Sequence, residues 1–370
     1  MDEKIKKIED LGYDSFFESN RIKLGLETFQ IARVIAEHKG SYNVKNTEGE
    51  YLAKITGKQI FKAKSREDYP AVGDWVAINE LNNNQVVIKA VLPRRSIIKR
   101  RFGEKNKSGE KSKVQIIASN IDVAFIVQSI GRDFSVNRFE RYLTVVKDSN
   151  IEPVIIINKT DLVSQEELDL KLSEIKNRLD RIEVIPTSTV NNEGLDKLKK
   201  YIQKGRTYCF LGSSGVGKSS LINKLLEKDN IKTGDVSSYS DRGKHITTSR
   251  EMYLLKEGGV LVDNPGVREV GMTDAGAGLG NLFNEIKMLA KKCKFIDCTH
   301  IHEPGCAVLA SLELGDLDRD KYNNYIGMKK EIEHFEMTEF EKKEKDKQFG
   351  KFIKKAKNDL KRYRNKDYGD

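Results

Sequence analysis

A glycine-rich segment in the second half of the chain has the residue types and spacing of a phosphate-binding loop. Gly212 is followed, after four residues, by Gly217, Lys218 and Ser219, which is a phosphate-loop pattern. The glycines let backbone N–H groups point at phosphates, and the helix that follows adds partial positive charge. We expect Lys218 to reach the β- and γ-phosphates and the Ser219 hydroxyl to bind Mg²⁺. The predicted nucleotide contacts of this loop are Gly212, Ser213, Ser214, Gly215, Val216, Gly217, Lys218, Ser219 and Ser220.

A second polar motif ends a predicted buried strand upstream of the phosphate loop and consists of Asn158, Lys159 and Asp161. A carboxylate at Asp161 accepts two hydrogen bonds from the N1–H and N2–H₂ edge of guanine, whereas adenine would leave it unpaired. The lysine stem can cover the base, and the asparagine can tie this segment to the phosphate loop. Thr187 and Ser188, after a further strand, are expected to add backbone contacts to the same base. The sequence therefore predicts GTP as the nucleotide.

The remaining nucleotide contacts are predicted downstream of the phosphate loop. The polar segment 233–249 has no apolar period, and a threonine in it is expected to complete the Mg²⁺ shell. Thr248 is the favoured ligand and Thr247 the alternative. Two paired strands are predicted next, at 252–255 and 259–263, and the second ends at Asp263. The Asp263 carboxylate would hold a water of Mg²⁺, and the N–H of Gly266 would meet the γ-phosphate.

The elements around these motifs predict an α/β domain with a parallel sheet covered on both faces. Apolar strands are predicted at 121–128, 153–157, 182–186 and 207–211, with amphipathic helices between them. We place this domain at residues 116–284.

A different pattern precedes it, because short alternating runs separated by glycines fill residues 28–92. They predict a small closed all-β barrel, for which an OB-fold is the best fit by size. We assign 1–26 to a helical lead-in and 27–115 to an OB-fold RNA-binding domain. Such barrels often bind single-stranded nucleic acid, although the strand pattern fits a purely structural barrel as well. The basic stretch 94–107 is predicted as an exposed linker or loop, either solvated or contacting a phosphate backbone.

A candidate metal site lies near the end of the chain. Its residues are Cys293, Cys298, His300 and Cys306. Three thiolates and one imidazole form a tetrahedral Zn²⁺ set with no open position, which predicts a structural role. His302 is the alternative fourth ligand, and reduced cysteines without a metal are the other alternative. The site belongs to a mainly helical zinc-binding module predicted at 285–370.

The formal net charge of +10 over 370 residues favours a polyanionic partner, with nucleic acid as the first hypothesis. No apolar run approaches the roughly 20 residues of a membrane span, and the N-terminus lacks the apolar segment of a signal peptide. These features predict a cytoplasmic protein without a membrane partner, and we expect a monomer.

The order of the nucleotide motifs is unusual, because the base-recognition residues precede the phosphate loop and Asp263 follows it. This order indicates a circularly permuted GTPase fold. An OB-type barrel, a permuted GTPase and a Cys₃His module in this order resemble the ribosome small-subunit-dependent GTPase A family (RsgA, YjeQ type) over roughly residues 27–340. The resemblance implies binding to the small (30S) ribosomal subunit and its 16S-type rRNA, and late maturation of that subunit. It also implies subunit-stimulated hydrolysis of GTP to GDP that drives release.

Two positions depart from the usual family pattern: Ile246 stands where a threonine is usual, and Asn264 replaces another threonine. Val267 occupies the position at which many GTPases carry a water-orienting Gln, so we expect slow intrinsic hydrolysis. His245 is the candidate to orient the attacking water once a partner orders its segment. A contact to ribosomal RNA or a structural role is the alternative for His245.

The basic C-terminal segment 349–362 has apolar residues on one helical face with lysines around it. Packing on the zinc module and RNA binding are equal alternatives for this helix, and a membrane surface is a lesser one. Two other function classes stay open. One is a GTPase in another RNA process, such as tRNA modification. The other is a non-catalytic RNA-binding protein, against which Lys218, Ser219 and Asp263 argue.

Overall fold

The computed structural model describes residues 6–38, 40–82, 84–102, 113–131, 134–179, 181–227, 251–256, 258–263 and 276–337, and single positions between 341 and 357. Among these residues, no helix is both long and apolar enough to cross a bilayer.

The predicted small β-barrel is confirmed, and the structure shows five strands in it. Its strands are β1 (Gln30–His38), β2 (Ser41–Lys45), β3 (Glu50–Ile55), β4 (Trp75–Asn82) and β5 (Gln85–Val91). The barrel closes because β1 pairs with both β2 and β4, while β3 runs parallel to β5. Small and β-branched side chains such as Val34, Val44 and Ile88 fill its interior. Helix α1 (Ser15–Lys23) precedes the barrel, and α2 (Gly57–Lys62) follows β3.

The basic stretch that the sequence analysis assigned to a linker or loop begins instead with a strand. β6 (Ile97–Phe102) pairs antiparallel with β7 (Lys113–Ser119). Ile98 of this strand is fully buried, so the stretch packs against the core and is not a solvated linker at this point. Two of its arginines make ion pairs with other segments of the chain, the partly buried Arg94 and the exposed Arg95. Arg94 makes a bidentate ion pair with buried Asp74 at 2.8 and 2.7 Å, and Arg95 pairs with Asp122 at 3.5 Å. Both guanidinium groups therefore make ion pairs within the protein, and the RNA contact predicted as an alternative for this stretch stays a prediction.

The predicted α/β domain follows as a six-stranded sheet. Its strands are β8 (Val123–Ser129), β9 (Glu152–Asn158), β10 (Glu183–Thr187), β11 (Thr207–Leu211), β12 (Glu251–Leu254) and β13 (Val260–Asp263). Their order is β10-β9-β8-β11-β13-β12, and β12 alone is antiparallel to its neighbour in this set. Its helices are α3 (Val136–Asp148), α4 (Gln165–Arg178), α5 (Leu195–Tyr201) and α6 (Lys218–Leu226). β11 is buried at every position, as a central parallel strand requires.

Four further helices form a C-terminal helical region: α7 (Gly276–Leu282), α8 (Asn284–Ala290), α9 (Ala307–Glu313) and α10 (Arg319–Glu336). The region predicted at 285–370 is therefore helical in its described part, whereas α7 falls within the bounds predicted for the α/β domain. This region packs on α3. A Cβ atom at Gly278 would lie 2.0 Å from the carbonyl oxygen of Thr144, so glycine permits the close approach of α7. Arg141 pairs with Glu331 of α10 at 2.7 Å. The described positions between 341 and 357 are helical and exposed, which leaves the role predicted for the basic C-terminal helix open.

A buried arginine joins the lead-in, the barrel and the α/β domain. Arg33 is 1% exposed, and it donates hydrogen bonds to the carbonyl of Leu11, to the carbonyl of Gly73 at 3.2 Å and to Thr207 Oγ1 at 2.9 Å. Burial lowers the pKa of Arg33 to about 10, so the group stays charged at neutral pH. In addition, Ala36 of β1 pairs with Glu251 of β12, which makes the barrel and the α/β sheet continuous. Strand β7 runs across the boundary that the sequence analysis placed between residues 115 and 116. That boundary stays a proposal.

Candidate functional site

The nucleotide motifs meet at one edge of the parallel sheet. β9 ends at Asn158, β10 at Thr187, β11 at Leu211 and β13 at Asp263. Ligands of open α/β sheets bind at the carboxyl ends of the strands. The sheet therefore collects motifs that are about 100 residues apart in the sequence.

The phosphate loop connects β11 to α6 and packs closely on the sheet. Gly212 has a φ of +147°, and a Cβ atom there would lie 2.2 Å from the carbonyl oxygen of Val127. Gly217 has a φ of +97°, and its Cβ would lie 2.2 Å from Asn158 Nδ2. Both positions exclude a side chain, because φ is positive and the neighbouring atoms are too near. Ser214 and Gly215, at the tip of the loop, are exposed and accessible to a ligand.

The Lys218 ammonium lies beneath this loop. Its Nζ donates to the carbonyl oxygens of Gly212 at 2.8 Å and Ser213 at 2.7 Å. Burial lowers the pKa of Lys218 to about 8, and the nearby charge of Asp263 opposes this shift. Asp263 is itself buried, with 5% of its surface exposed. The lysine is therefore a desolvated cation aimed at the loop in which phosphates would sit.

We expect GTP affinity to weaken as the pH rises through 8. Phosphate oxygens favour the ammonium form, so the pKa of Lys218 is higher in the complex than in the free protein. With a free-state pKa of about 8, linkage predicts an affinity about eightfold weaker at pH 9 than at pH 7.5. Titration with a fluorescent GTP analogue at each pH measures this affinity. The Lys218→Ala variant should bind weakly without this slope, and a pH-independent wild-type affinity would contradict the prediction.

The base-recognition loop, residues 158–161, is tied to the phosphate loop as the sequence predicts. Asn158 Nδ2 donates to the carbonyl oxygen of Val216 at 2.9 Å, and Thr187 Oγ1 donates to Asn158 Oδ1 at 3.1 Å. Lys159 adopts a left-handed φ of 66°, which is uncommon outside glycine and often marks a functional site. The two loops are thus held in fixed register.

Asp161 is exposed, and its carboxylate accepts a hydrogen bond from the Ser188 hydroxyl. The backbone N–H of Val190 in turn donates to Ser188 Oγ at 3.1 Å. The sequence analysis expected backbone contacts from Thr187 and Ser188 to the base. The structure adds side-chain roles that it missed, because these two hydroxyl groups position Asn158 and Asp161. The only signal in the sequence was their place directly after a strand.

Four of the predicted nucleotide residues lie outside the described part of the chain. They are His245, Thr247, Thr248 and Gly266. The roles predicted for them remain predictions.

The candidate metal site is compact. The ligand atoms of Cys293, Cys298, His300 and Cys306 all lie within 4.8 Å of one another. Cys293 Sγ lies 3.9 Å from Cys306 Sγ, and His300 Nδ1 lies 3.6 and 3.5 Å from these two sulfur atoms. Tetrahedral Zn²⁺ would place sulfurs about 3.8 Å apart and sulfur and nitrogen about 3.6 Å apart. The donor set and its spacing therefore fit one zinc ion.

The neighbourhood of the cluster distinguishes the two candidate histidines. His300 is 5% exposed, and burial lowers its pKa, which favours the neutral imidazole that a metal requires. His302 is exposed, and its backbone N–H donates to Glu303 at 3.2 Å. The Glu303 carboxylate also accepts the N–H groups of Thr299 and Ile301, so it fixes the loop that carries His300. His302 lies outside the cluster.

Comparison with known proteins gives a consistent family. The model of the RsgA GTPase family matches residues 91–273. A protein of Bacteroides thetaiotaomicron named small ribosomal subunit biogenesis GTPase RsgA 1 is 40% identical, over 88% of this chain and 89% of its own. The crystal structure of YjeQ from Thermotoga maritima aligns with a TM-score of 0.58 at 25% identity, over 81% of this chain and 96% of its own. The crystal structure of YloQ, described as a circularly permuted GTPase, aligns with a TM-score of 0.57 at 22% identity, over 84% of this chain and 97% of its own.

Proposed function

Because this chain belongs to the RsgA GTPase family, we propose that it binds the small ribosomal subunit and acts in its late maturation. On this proposal it hydrolyses GTP to GDP, the subunit stimulates the hydrolysis, and the hydrolysis drives its release. The observation that carries the nucleotide part is the 2.9 Å hydrogen bond from Asn158 to Val216, which joins base recognition to the phosphate loop. The name of the Bacteroides relative supports the ribosomal part.

Each part of the nucleotide has its own residues in this proposal. Asp161 accepts the guanine N–H groups. Lys218 exchanges its carbonyl partners for phosphate oxygens, and the N–H of Gly266 meets the γ-phosphate. Ser219 and Thr248 would hold Mg²⁺, which offsets the negative charge of the phosphates. Separately, the Cys₃His cluster would hold one structural Zn²⁺.

Cellular context completes the proposal. We place the protein in the cytoplasm as a monomer that contacts 16S-type rRNA. The net charge of +10 supports an RNA partner, since phosphate neutralisation supplies much of the affinity in such complexes.

His245→Ala is expected to abolish subunit-stimulated turnover while leaving GTP affinity nearly unchanged. The reason is that Val267 offers no hydrogen bond to the attacking water, so another side chain has to orient it. Single-turnover hydrolysis with saturating subunits measures the effect. Thr248→Ala serves as a comparison, because loss of an Mg²⁺ ligand should weaken nucleotide binding as well. Normal stimulated turnover in His245→Ala would remove this residue from the mechanism.

A GTPase assay with and without small ribosomal subunits tests the proposed function directly. We expect slow hydrolysis by the protein alone and faster hydrolysis with the subunits. Equal rates in both conditions, together with no co-sedimentation in a non-hydrolysable GTP analogue, would favour a GTPase of another RNA process. The absence of hydrolysis in every condition would favour a non-catalytic RNA-binding protein.

A further inference from the structure

Helix α2 of the barrel presents an aromatic ring to solvent. Phe61 is 92% exposed, its neighbour Ile60 is 52% exposed, and no residue of the helix is buried. A ring this exposed stabilises the fold very little, because almost none of its surface leaves water. The stability of the fold therefore does not explain why an aromatic residue stands at this position.

The helix is nevertheless held firmly. Thr56 and Gln59 form a capping box, in which Gln59 N donates to Thr56 Oγ1 at 3.2 Å and Thr56 N donates to Gln59 Oε1 at 2.9 Å. Gln59 Nε2 also donates to the carbonyl oxygen of Lys89 on β5 at 2.9 Å. Gln59 therefore fastens one side of α2 to the barrel, while Phe61 is held away from it. The ring is a preorganised element of the surface.

Exposed lysines lie on the same helix as the ring and on the adjoining barrel face. Lys58 lies three positions before Phe61, which places both on one face of the helix, and Lys62 follows directly. Lys54 of β3 and Lys89 of β5 are exposed on the adjoining outer barrel face, where these two strands pair in parallel. We call these five residues the α2 surface: Lys54, Lys58, Phe61, Lys62 and Lys89.

These charges are not neutralised within the described part of the chain, where no carboxylate lies within ion-pair distance of the four ammonium groups. Two acids follow the helix in the sequence, and both are already engaged. Glu67 pairs with Lys99 at 2.7 Å, and the next acid is Asp68. Its carboxylate accepts the backbone N–H groups of Lys64 at 2.7 Å and Ser65 at 3.0 Å. The α2 surface thus combines concentrated positive charge with one flat apolar face.

Resting on the proposed function, we propose that the α2 surface binds an unpaired segment of RNA, with one base stacked on Phe61 and the flanking phosphates on the lysines. Exposed aromatic rings within a basic groove bind single strands in this way, since every base has a π-face. Paired RNA hides its base faces, so the segment is single-stranded. A protein partner would be expected to cover a larger apolar area than one ring and Ile60.

The test measures binding of the full chain, with a non-hydrolysable GTP analogue, to small subunits and to a fluorescent single-stranded oligouridylate. Phe61→Ala is expected to weaken both complexes about 5- to 150-fold, the range for one lost base stack. Phe61→Trp should retain binding, and Phe61→Leu should behave like Phe61→Ala. Leu81→Ala is the matched control, because Leu81 is 63% exposed on the same barrel but outside the α2 surface.

The lysines are tested by the salt dependence of the same oligonucleotide complex. Lys58→Gln and Lys62→Gln should each reduce the slope of log K against log salt by about 0.7, the value for one phosphate contact on a single strand. Lys197→Gln is the control, because Lys197 pairs with Glu183 at 2.7 Å on the α/β domain. Unchanged GTP affinity in every variant shows that the α/β domain is folded, and an unchanged thermal unfolding curve by circular dichroism shows the same for the barrel.

Each outcome decides between the proposals. Wild-type binding by Phe61→Ala overturns the assignment of the α2 surface and leaves the proposed function intact. Loss in Phe61→Ala with full binding by Phe61→Leu indicates an apolar protein contact and also overturns the RNA assignment. Failure of the wild-type chain to bind small subunits, with the oligonucleotide still bound, overturns the proposed function and not the α2 surface.

Discussion

Asp161→Asn is expected to lose affinity for GTP and to gain affinity for xanthosine triphosphate. On the proposed function, the wild-type carboxylate accepts two charge-assisted hydrogen bonds from guanine, at roughly 1.5–3 kcal/mol each, so the expected loss is about 10²- to 10⁴-fold. Xanthine carries an oxygen where guanine has its amino group, and the asparagine amide can donate to it. Competition between the two nucleotides for a fluorescent GTP analogue measures the exchange.

Two control variants sharpen this experiment. Ser188→Ala removes the hydroxyl that donates to Asp161, so it should weaken GTP binding modestly without creating affinity for the xanthine nucleotide. Asp169→Asn changes an exposed carboxylate of α4 and should have no effect. If Asp161→Asn binds GTP as the wild type does, the base is recognised elsewhere.

His300→Ala is expected to lose zinc, whereas His302→Ala keeps it. Structural zinc sites contribute about 10–16 kcal/mol in peptides at pH 7, so removal of one of four ligands should destabilise the region around the site. Tyr322 of α10 donates to the carbonyl oxygen of His300 at 2.6 Å, and Leu309 N of α9 donates to Cys306 Sγ at 3.4 Å. Metal analysis of the purified variants, with hydrogen exchange over residues 285–337, measures both effects.

Nucleotide binding is the internal control for this pair. The phosphate loop and Asp161 lie on the α/β sheet, so we expect GTP affinity to survive in His300→Ala. A strong chelator applied to the wild type should reproduce the His300→Ala exchange pattern. Zinc retained by His300→Ala and lost by His302→Ala would show that His302 is the fourth ligand. A wild-type protein purified without zinc would contradict the proposed zinc site.

Sequence analysis performed best where function depends on consecutive residues. The predicted phosphate contacts of the loop come from the consecutive residues Gly212 to Ser219, so this part of the site can be recognised within one short segment. The strand before it and the helix after it are equally local, because each shows its own apolar period. The five barrel strands were also recognisable, since alternation and glycine turns mark each of them.

The basic stretch after the barrel shows where this approach failed. Arg94 lies 20 residues from Asp74 in the sequence, and nothing in its neighbours signals a buried carboxylate. Runs of lysine and arginine are usually solvated, so a linker was the natural expectation. Arg33 is a similar case, because its bond to Thr207 spans 174 residues.

The sequence by itself determined the nucleotide, the order of the domains and the residue types of the metal site, because each depends on short contiguous motifs. Only the tertiary structure decided that His300 rather than His302 joins the cysteines, that Ser188 holds Asp161, and that Arg94 is internal. Only it showed that Phe61 is uncovered and that the lysines of the α2 surface have no ion pair within the described part of the chain. These are contacts, or missing contacts, between segments distant in the chain. Tertiary packing brings such segments together, and the local sequence around each residue does not show which distant segment it will contact.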